Sequence, residues 1–348
     1  MPFNDSALVV GPFGARNGVP VNTQNRKAMN NIFTFSRAVS SLALAGALIL
    51  SVAPAGAGTV AYWRFEEGPA DANVPHGGLP GGAFYPGTLD SSGNGNHLSV
   101  WAEGWAGYAY RTDVASPLVP LTGAANNFSV QNTGGYPAMF TDSAAMRTMT
   151  PSAFTIEVSF KPETGGYRTL VGRDSRGAAT VNPDLAALYL QIVPGDAVAI
   201  KFADVSGYWH EAVSAPGAIT GFPWPNTAAG FWYHMAAVSD GSWLSLYLNS
   251  GTGYQLVAQT DLTLSGSPNT TLTAGLGSGG DWTAGNWSVG RGLYAGGHAD
   301  RAYGFIDEVR ISDSALAPGQ FLFVPEPGSL SLVLLGGLML CFRRFRAR

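Results

Sequence analysis

The chain has 348 residues, of which 12% are charged and 11% aromatic, with 46 glycines and 22 prolines and a formal net charge of −4. So few charges, about half the usual share, exclude a disordered chain, and the glycine and proline content fits a turn-rich β protein better than a helical one. Between Gly58 and Pro327 there are 11 Lys and Arg against 22 Asp and Glu, and a net −11 excludes nucleic acid as a partner, because phosphate backbones are held by positive charge.

Residues 1–28 show no period. From Met29, Arg37 leads into the apolar run Leu42–Val52, and Ala55-Gly56-Ala57 follows as a small-x-small cleavage signal. Counted from Met29 this is a signal peptide of ordinary length, so 1–28 reads as a non-native N-terminal extension and 29–57 as the signal, with an uncleaved anchor helix as the alternative. The single cysteine, Cys341, lies near the C-terminus, so an exported body would fold on its apolar core without disulfides.

The β pattern begins at Thr59. Ala61, Trp63 and Phe65 alternate with Tyr62 and Arg64, Asp71–Gly87 is a loop, and Asp90-Ser-Ser-Gly-Asn-Gly-Asn96 is a dense turn. Phe154–Phe160 has period two, with Phe154, Ile156, Val158 and Phe160 inward and Thr155, Glu157 and Ser159 outward. Two hairpins are predicted. One joins Leu188–Val193 to Ala197–Phe202 through Pro194-Gly195-Asp196; the other joins Trp232–Val238 to Trp243–Asn249 around Asp240-Gly241. Trp287–Val289 and Gly304–Ile311 complete the strands. The pattern predicts an all-β fold, one antiparallel sandwich, over 58–323.

Asp307 stands in phase with Phe305, Val309 and Ile311, which points its carboxylate to the apolar face. There it must bind a metal, accept backbone N–H groups or meet a cation. Asp90, Ser92, Asn94 and Asn96 alternate oxygens as a calcium loop does, but the twelfth position is Trp101 rather than Glu, and a tight turn through Gly93 and Gly95 is the simpler reading. No catalytic residue is assigned. The chain has no H-E-x-x-H and no G-x-S-x-G, and its five histidines are scattered. Gly275-Leu-Gly-Ser-Gly-Gly280 opens no helix and reads as a loop. Tyr208, Trp209, Trp224, Trp282 and Tyr294 are expected in or beside loops, where rings either stack on sugar faces or plug the ends of the sandwich.

The last 25 residues, 324–348, are a break, an apolar run and a basic end. Pro325-Glu326-Pro327 interrupts the chain, Leu330–Phe342 is apolar, and Arg343, Arg344, Arg346 and Arg348 follow. The run is short for a bilayer at roughly 20 Å as a helix, so a buried C-terminal helix is the alternative to a transmembrane helix. The arrangement resembles the PEP-CTERM sorting signal of Gram-negative bacteria. That resemblance implies Sec export, transient anchoring in the inner membrane with the arginines as retention signal, and processing near Pro325-Glu326-Pro327 by an exosortase. The cell surface or extracellular biofilm matrix is then the expected destination.

Tyr62–Gly68, Asp90–Asn96, Phe154–Glu157, Trp232–Met235 and Ile306–Ile311, in that order, resemble the laminin G-like, concanavalin A-like sandwiches of bacterial surface proteins. The resemblance implies a jelly roll and a structural His234. Asp71–Tyr85, Ser206–Gly230 and Leu262–Asp300 then look like loop insertions. It also implies that Asp307 helps hold a structural calcium, with Glu66 or Glu67 as a neighbour; Asp90, from the alternating oxygens of its turn, is a further candidate ligand. The E-x-D-x-x-E triplet of related glucanases, which retaining hydrolysis needs, is absent from the chain. The expected function is therefore non-enzymatic, with extracellular polysaccharide as ligand; an atypical carbohydrate-active enzyme and a purely structural matrix protein are the alternatives.

Overall fold

A computed structural model of the chain describes residues 58–77, 86–101, 107–141, 143–220, 230–275 and 284–324. The signal segment, Pro325-Glu326-Pro327, the Leu330–Phe342 run, Arg343, Arg344 and Arg346, and the rings of Trp224 and Trp282 lie outside them. Among the described residues no helix is long and apolar enough to cross a membrane.

In chain order the strands are β1 (Thr59–Trp63), β2 (Ser99–Trp101), β3 (Tyr108–Arg111), β4 (Leu118–Val119), β5 (Ala124–Ala125), β6 (Ser129–Asn132) and β7 (Ala138–Thr141). There follow β8 (Phe154–Pro162), β9 (Arg168–Arg173), β10 (Leu188–Val193), β11 (Ala197–Ala203), β12 (Trp209–Val213) and β13 (Tyr233–Ser239). The rest are β14 (Trp243–Asn249), β15 (Gln255–Asp261), β16 (Trp287–Val289), β17 (Gly292–Tyr294), β18 (Gly297–Ala299) and β19 (Gly304–Ser312). One sheet runs β15-β14-β13-β8-β19-β6-β3, with β1 also paired to β19; the other runs β12-β11-β10-β9-β16-β7-β2. The ladders are antiparallel, as the sequence predicts.

Alternation makes the interface between the sheets. Phe154, Ile156, Val158 and Phe160 of β8 share one core with Leu188, Leu190 and Ile192 of β10 and Val198, Ile200 and Phe202 of β11. Each such side chain contributes about 1.5–3 kcal/mol on removal from water.

The structure departs from the sequence reading in four places. Thr155, Glu157 and Ser159 are buried as completely as their inward neighbours, because the chain after β19 folds over the outer face of this sheet. Leu316 and Phe321 pack there with Ala236 and Val238, Leu322 and Phe323 with Val119, and His234 stacks on Phe323 at 3.8 Å. Glu157 accepts the Leu322 N–H at 2.7 Å and is ion-paired with Arg310.

The second departure is in β19. From Asp307 to Arg310 its partner strand advances only from Ser159 to Glu157, so β19 carries one extra residue, a β-bulge. Glu308 occupies it at φ 48°, in the left-handed region. The bulge shifts the phase. Ile306, Val309 and Ile311 join the core, whereas Asp307 pairs with Ser159 on the covered outer face rather than pointing with them. Third, the tight turn between β13 and β14 has Gly241 and Ser242 at its centre instead of Asp240 and Gly241: Asp240 N–H donates to Trp243 O at 3.2 Å, Gly241 has φ 87°, and the Asp240 carboxylate caps the Ser242 and Trp243 amides. Fourth, Ser206–Gly230 and Leu262–Asp300 are more than loop insertions, since β12 comes from the first, and β17 and β18, beside the expected strand Trp287–Val289, from the second.

Candidate functional site

Strand alternation that fills the core also decides what the second sheet shows on its other side. With Leu188, Leu190 and Ile192 inward, Tyr189 and Gln191 of β10 face outward; Lys201 of β11 and Trp209 and Glu211 of β12 do the same. Register brings them together, because Tyr189 pairs with Lys201, Lys201 with Glu211, and Ala203 with Trp209.

The β17–β18 hairpin lies over part of this face. Its two-residue turn, Ala295-Gly296, has φ 52° and 82°, positive at both central positions as a type I′ turn requires. Gly292 lets it approach the sheet, since a Cβ there would meet Thr169 Oγ1 at 2.7 Å. Leu293 packs with Ala138, Phe140, Ala186 and Tyr189. The Tyr189 hydroxyl fixes the contact, accepting the Ala186 N–H at 2.6 Å and donating to Leu293 O.

Between hairpin and sheet lies a cavity of about 410 Å3. Its aromatic walls are Tyr167, Tyr189, Trp209 and Tyr294, and its polar groups are Gln191, Lys201 and Asp300. Trp209 meets Tyr189 edge-on at 6.2 Å, while Tyr167 and Tyr294 are 49% and 47% exposed and form the rim. Lys201 is paired with Glu211 at 3.3 Å. Burial pushes the Asp300 carboxyl above its ordinary range, with the Arg168 charge opposing the shift. Chemically this is an open cavity lined by aromatic side chains and a few hydrogen-bonding groups, the composition of small-ligand sites.

Of the five aromatic candidates, Trp209 and Tyr294 meet at this cavity, both on strands rather than in loops. Tyr208, next to Trp209, is exposed and lies outside its lining. Tyr167, Tyr189, Gln191, Lys201 and Asp300 were missed by the sequence reading. Tyr189, Gln191 and Lys201 had a signal, as aromatic or polar positions out of phase with an apolar alternation; Asp300 had none.

The three acidic residues considered as calcium ligands are differently placed. Asp90 accepts the N–H groups of Tyr62, Ser92 and Asn96 and the Ser92 hydroxyl at 2.8–2.9 Å. Burial pushes its carboxyl up, but these bonds outweigh it and hold it below the usual range. Gly93 and Gly95 have φ 87° and 74°, so the segment is the tight turn expected. Glu66 is engaged by Asn127 and by the Phe128 N–H. Among the described residues no group of three or more His, Cys, Asp or Glu is arranged to hold a metal.

Asp307 is different. It is fully buried; Asn126 Nδ2 donates to its Oδ2 at 2.8 Å, while Asp307 Oδ1 and Asn126 Oδ1 are both buried without a hydrogen-bond partner. Burial, reinforced by the Glu308 charge, pushes the Asp307 carboxyl well above the ordinary range. Glu308 itself is engaged by Tyr62 and by Arg64 Nε at 3.0 Å. Two orphaned oxygens in one buried place suit a hard cation, which takes oxygen ligands; a proton is the other way to relieve them. The oxygens of Asp90 and Glu66 are thus committed to protein donors, whereas Asp307 and Asn126 each keep one buried oxygen without a hydrogen-bond partner.

A family model described as the concanavalin A-like lectin/glucanases superfamily, of laminin G type, matches residues 133–320. The chain belongs to this family. The match takes in most of both sheets, including every residue lining the cavity. No curated protein matches the chain. Among solved structures, domain 4 of AbnA, a GH43 extracellular arabinanase from Geobacillus stearothermophilus in complex with arabinotriose, is similar at 15% identity and a TM-score of 0.44, over 76% of this chain and 97% of that one. The CBM40 of the Ruminococcus gnavus IT-sialidase is similar at 16% identity and a TM-score of 0.38, over 52% of this chain and 86% of that one.

Proposed function

We propose that this is a non-enzymatic exported surface or extracellular-matrix protein whose sandwich binds extracellular polysaccharide in the cavity between β12 and the β17–β18 hairpin. The observation that carries the reading is the lining: the aromatic residues Trp209, Tyr294 and Tyr167 stand beside Gln191, Lys201 and Asp300. Sugar rings present the same combination, C–H faces with hydroxyl edges, and rings of Trp and Tyr gain most from such contacts. Asp300 is the one carboxylate lining the cavity among the described residues, and canonical glycoside hydrolysis takes two. Binding without turnover is the function this supports.

The test is calorimetric titration of the full-length protein with neutral and acidic oligosaccharides, beside Trp209→Ala. Loss of the central ring should weaken binding by about 2 kcal/mol, roughly thirtyfold. Wild-type affinity in the variant would refute the cavity as the site, and release of reducing ends from those glycans would refute the non-enzymatic reading.

The tail completes the proposal. Sec export and exosortase processing rest on Pro325-Glu326-Pro327, the Leu330–Phe342 run and the arginines. Replacing Pro325, Glu326 and Pro327 by Ala should leave full-length protein in the inner membrane, whereas a mature surface form retaining Arg343–Arg348 would contradict the reading. A structural calcium held by Asp307 and Asn126 is part of the same proposal.

A further inference from the structure

Three polar groups of the cavity are engaged inside the protein, and its one carboxylate among the described residues is not. Gln191 Oε1 accepts the Thr169 hydroxyl at 3.4 Å, the Tyr189 hydroxyl both donates and accepts, and the Lys201 ammonium faces Glu211 at 3.3 Å. The Asp300 carboxylate lines the same space and accepts no hydrogen bond from the described residues.

Its backbone is fixed. Asp300 has φ 51°, in the left-handed region that Asp and Asn enter more readily than other non-glycine residues, and its carbonyl accepts the Thr169 N–H at 2.6 Å. The other cation near it, Arg168, is held by the Thr164 hydroxyl and the Tyr167 carbonyl and lies over the Tyr303 ring at 5.3 Å. A half-buried negative group with free lone pairs therefore stands at the cavity, with Lys201 paired to Glu211 and the Arg168 guanidinium held by neutral partners.

Such a group calls for donors. Two adjacent sugar hydroxyls supply them to the two oxygens of one carboxylate, whereas an acidic sugar would set carboxylate against carboxylate, at a cost that a site of reduced dielectric magnifies. The net −11 between Gly58 and Pro327 opposes polyanions at longer range as well. Resting on the glycan reading of this cavity, we propose that Asp300 determines its specificity: the site takes a neutral saccharide, a vicinal pair of hydroxyls donating to the Asp300 carboxylate, and rejects uronate- and sialate-type sugars.

The experiment titrates the full-length wild type, Asp300→Asn and Trp209→Ala with neutral arabino-, xylo- and gluco-oligosaccharides of three to six units, with oligogalacturonates and sialyllactose, and with a de-N-acetylated amino-sugar oligomer. Asn tolerates the left-handed region as Asp does, so Asp300→Asn keeps the fold, which its melting temperature verifies. The wild type should bind a neutral member at least tenfold more tightly than any acidic one. Asp300→Asn should lose tenfold or more on the neutral ligand and narrow the gap to the acidic ones, because the amide replaces one acceptor oxygen with a donor. Wild-type binding should also weaken as pH falls and the carboxylate takes up a proton. A preference for acidic or amino sugars, or Asp300→Asn affinity within twofold of wild type, overturns the inference. Should Trp209→Ala abolish binding while Asp300→Asn leaves it unchanged, the glycan reading survives alone; should no oligosaccharide bind the wild type, both fall.

Discussion

Replacing Asp307 by Asn separates the two ways of relieving its buried carboxyl. The side chain is fully buried, has one bonded oxygen and one orphan, and lies near the negative Glu308 and Glu66. If a calcium ion joins Asp307 Oδ1 to Asn126 Oδ1, binding stabilises the fold by about 2.7 kcal/mol at a hundredfold excess over Kd. For a domain this size that is roughly 5–10 °C in melting temperature. The assay is thermal melting at pH 7 with calcium or with excess chelator. The calcium proposal predicts that chelator lowers the wild-type melting temperature by that amount, and that Asp307→Asn starts lower and no longer responds.

The proton alternative has the opposite sign. A carboxyl whose folded pKa is raised binds its proton more tightly folded than unfolded. Its contribution is present below the unfolded value, about 4, and is lost as pH rises through the folded value. Metal-free protein would then lose stability on going from pH 4 to 7, and Asp307→Asn would melt at or above wild type at pH 7. A flat chelator response with a stabilised Asn variant would refute the calcium proposal.

Two further predictions concern the outer face of the first sheet. Arg310→Met should cost about 3–5 kcal/mol, because it strands the buried Glu157 carboxylate; the double change with Glu157→Leu should recover most of this in chemical denaturation. His234 is buried against Phe323 with Nδ1 2.7 Å from the Ser159 hydroxyl, and burial depresses its pKa to about 3. The unfolded chain therefore binds a proton that the folded one does not. Stability should fall from pH 6.5 towards 3 by at most about 1.4 kcal/mol per unit, and denaturant titrations across that range should lose this slope in His234→Gln.

The strands were legible where local alternation decides them. Phe154–Phe160 and the hairpin through Pro194-Gly195-Asp196 lie where the pattern puts them. What escaped was long-range or carried by a residue that gives no warning. Glu308 takes a left-handed bulge that Gly or Asn would have signalled, so Asp307 read as a core-facing residue when it lies on the covered outer face. That cover comes from Leu316–Phe323, some 160 residues after β8, and no periodicity in β8 foretells it. At the cavity, Trp209 and Tyr294 stood out in the sequence as rings, though as loop residues rather than the strand residues they are. Lys201 and Asp300 became neighbours only when β11 and the β17–β18 hairpin converged.

The measurement that bears most directly on glycan binding is a crystal structure of the protein grown with the tightest-binding oligosaccharide from the titrations. The account predicts a sugar ring lying face-on against Trp209, inside the cavity bounded by Tyr294 and Asp300. Saccharide seated elsewhere on the sandwich, with this cavity empty, would contradict it.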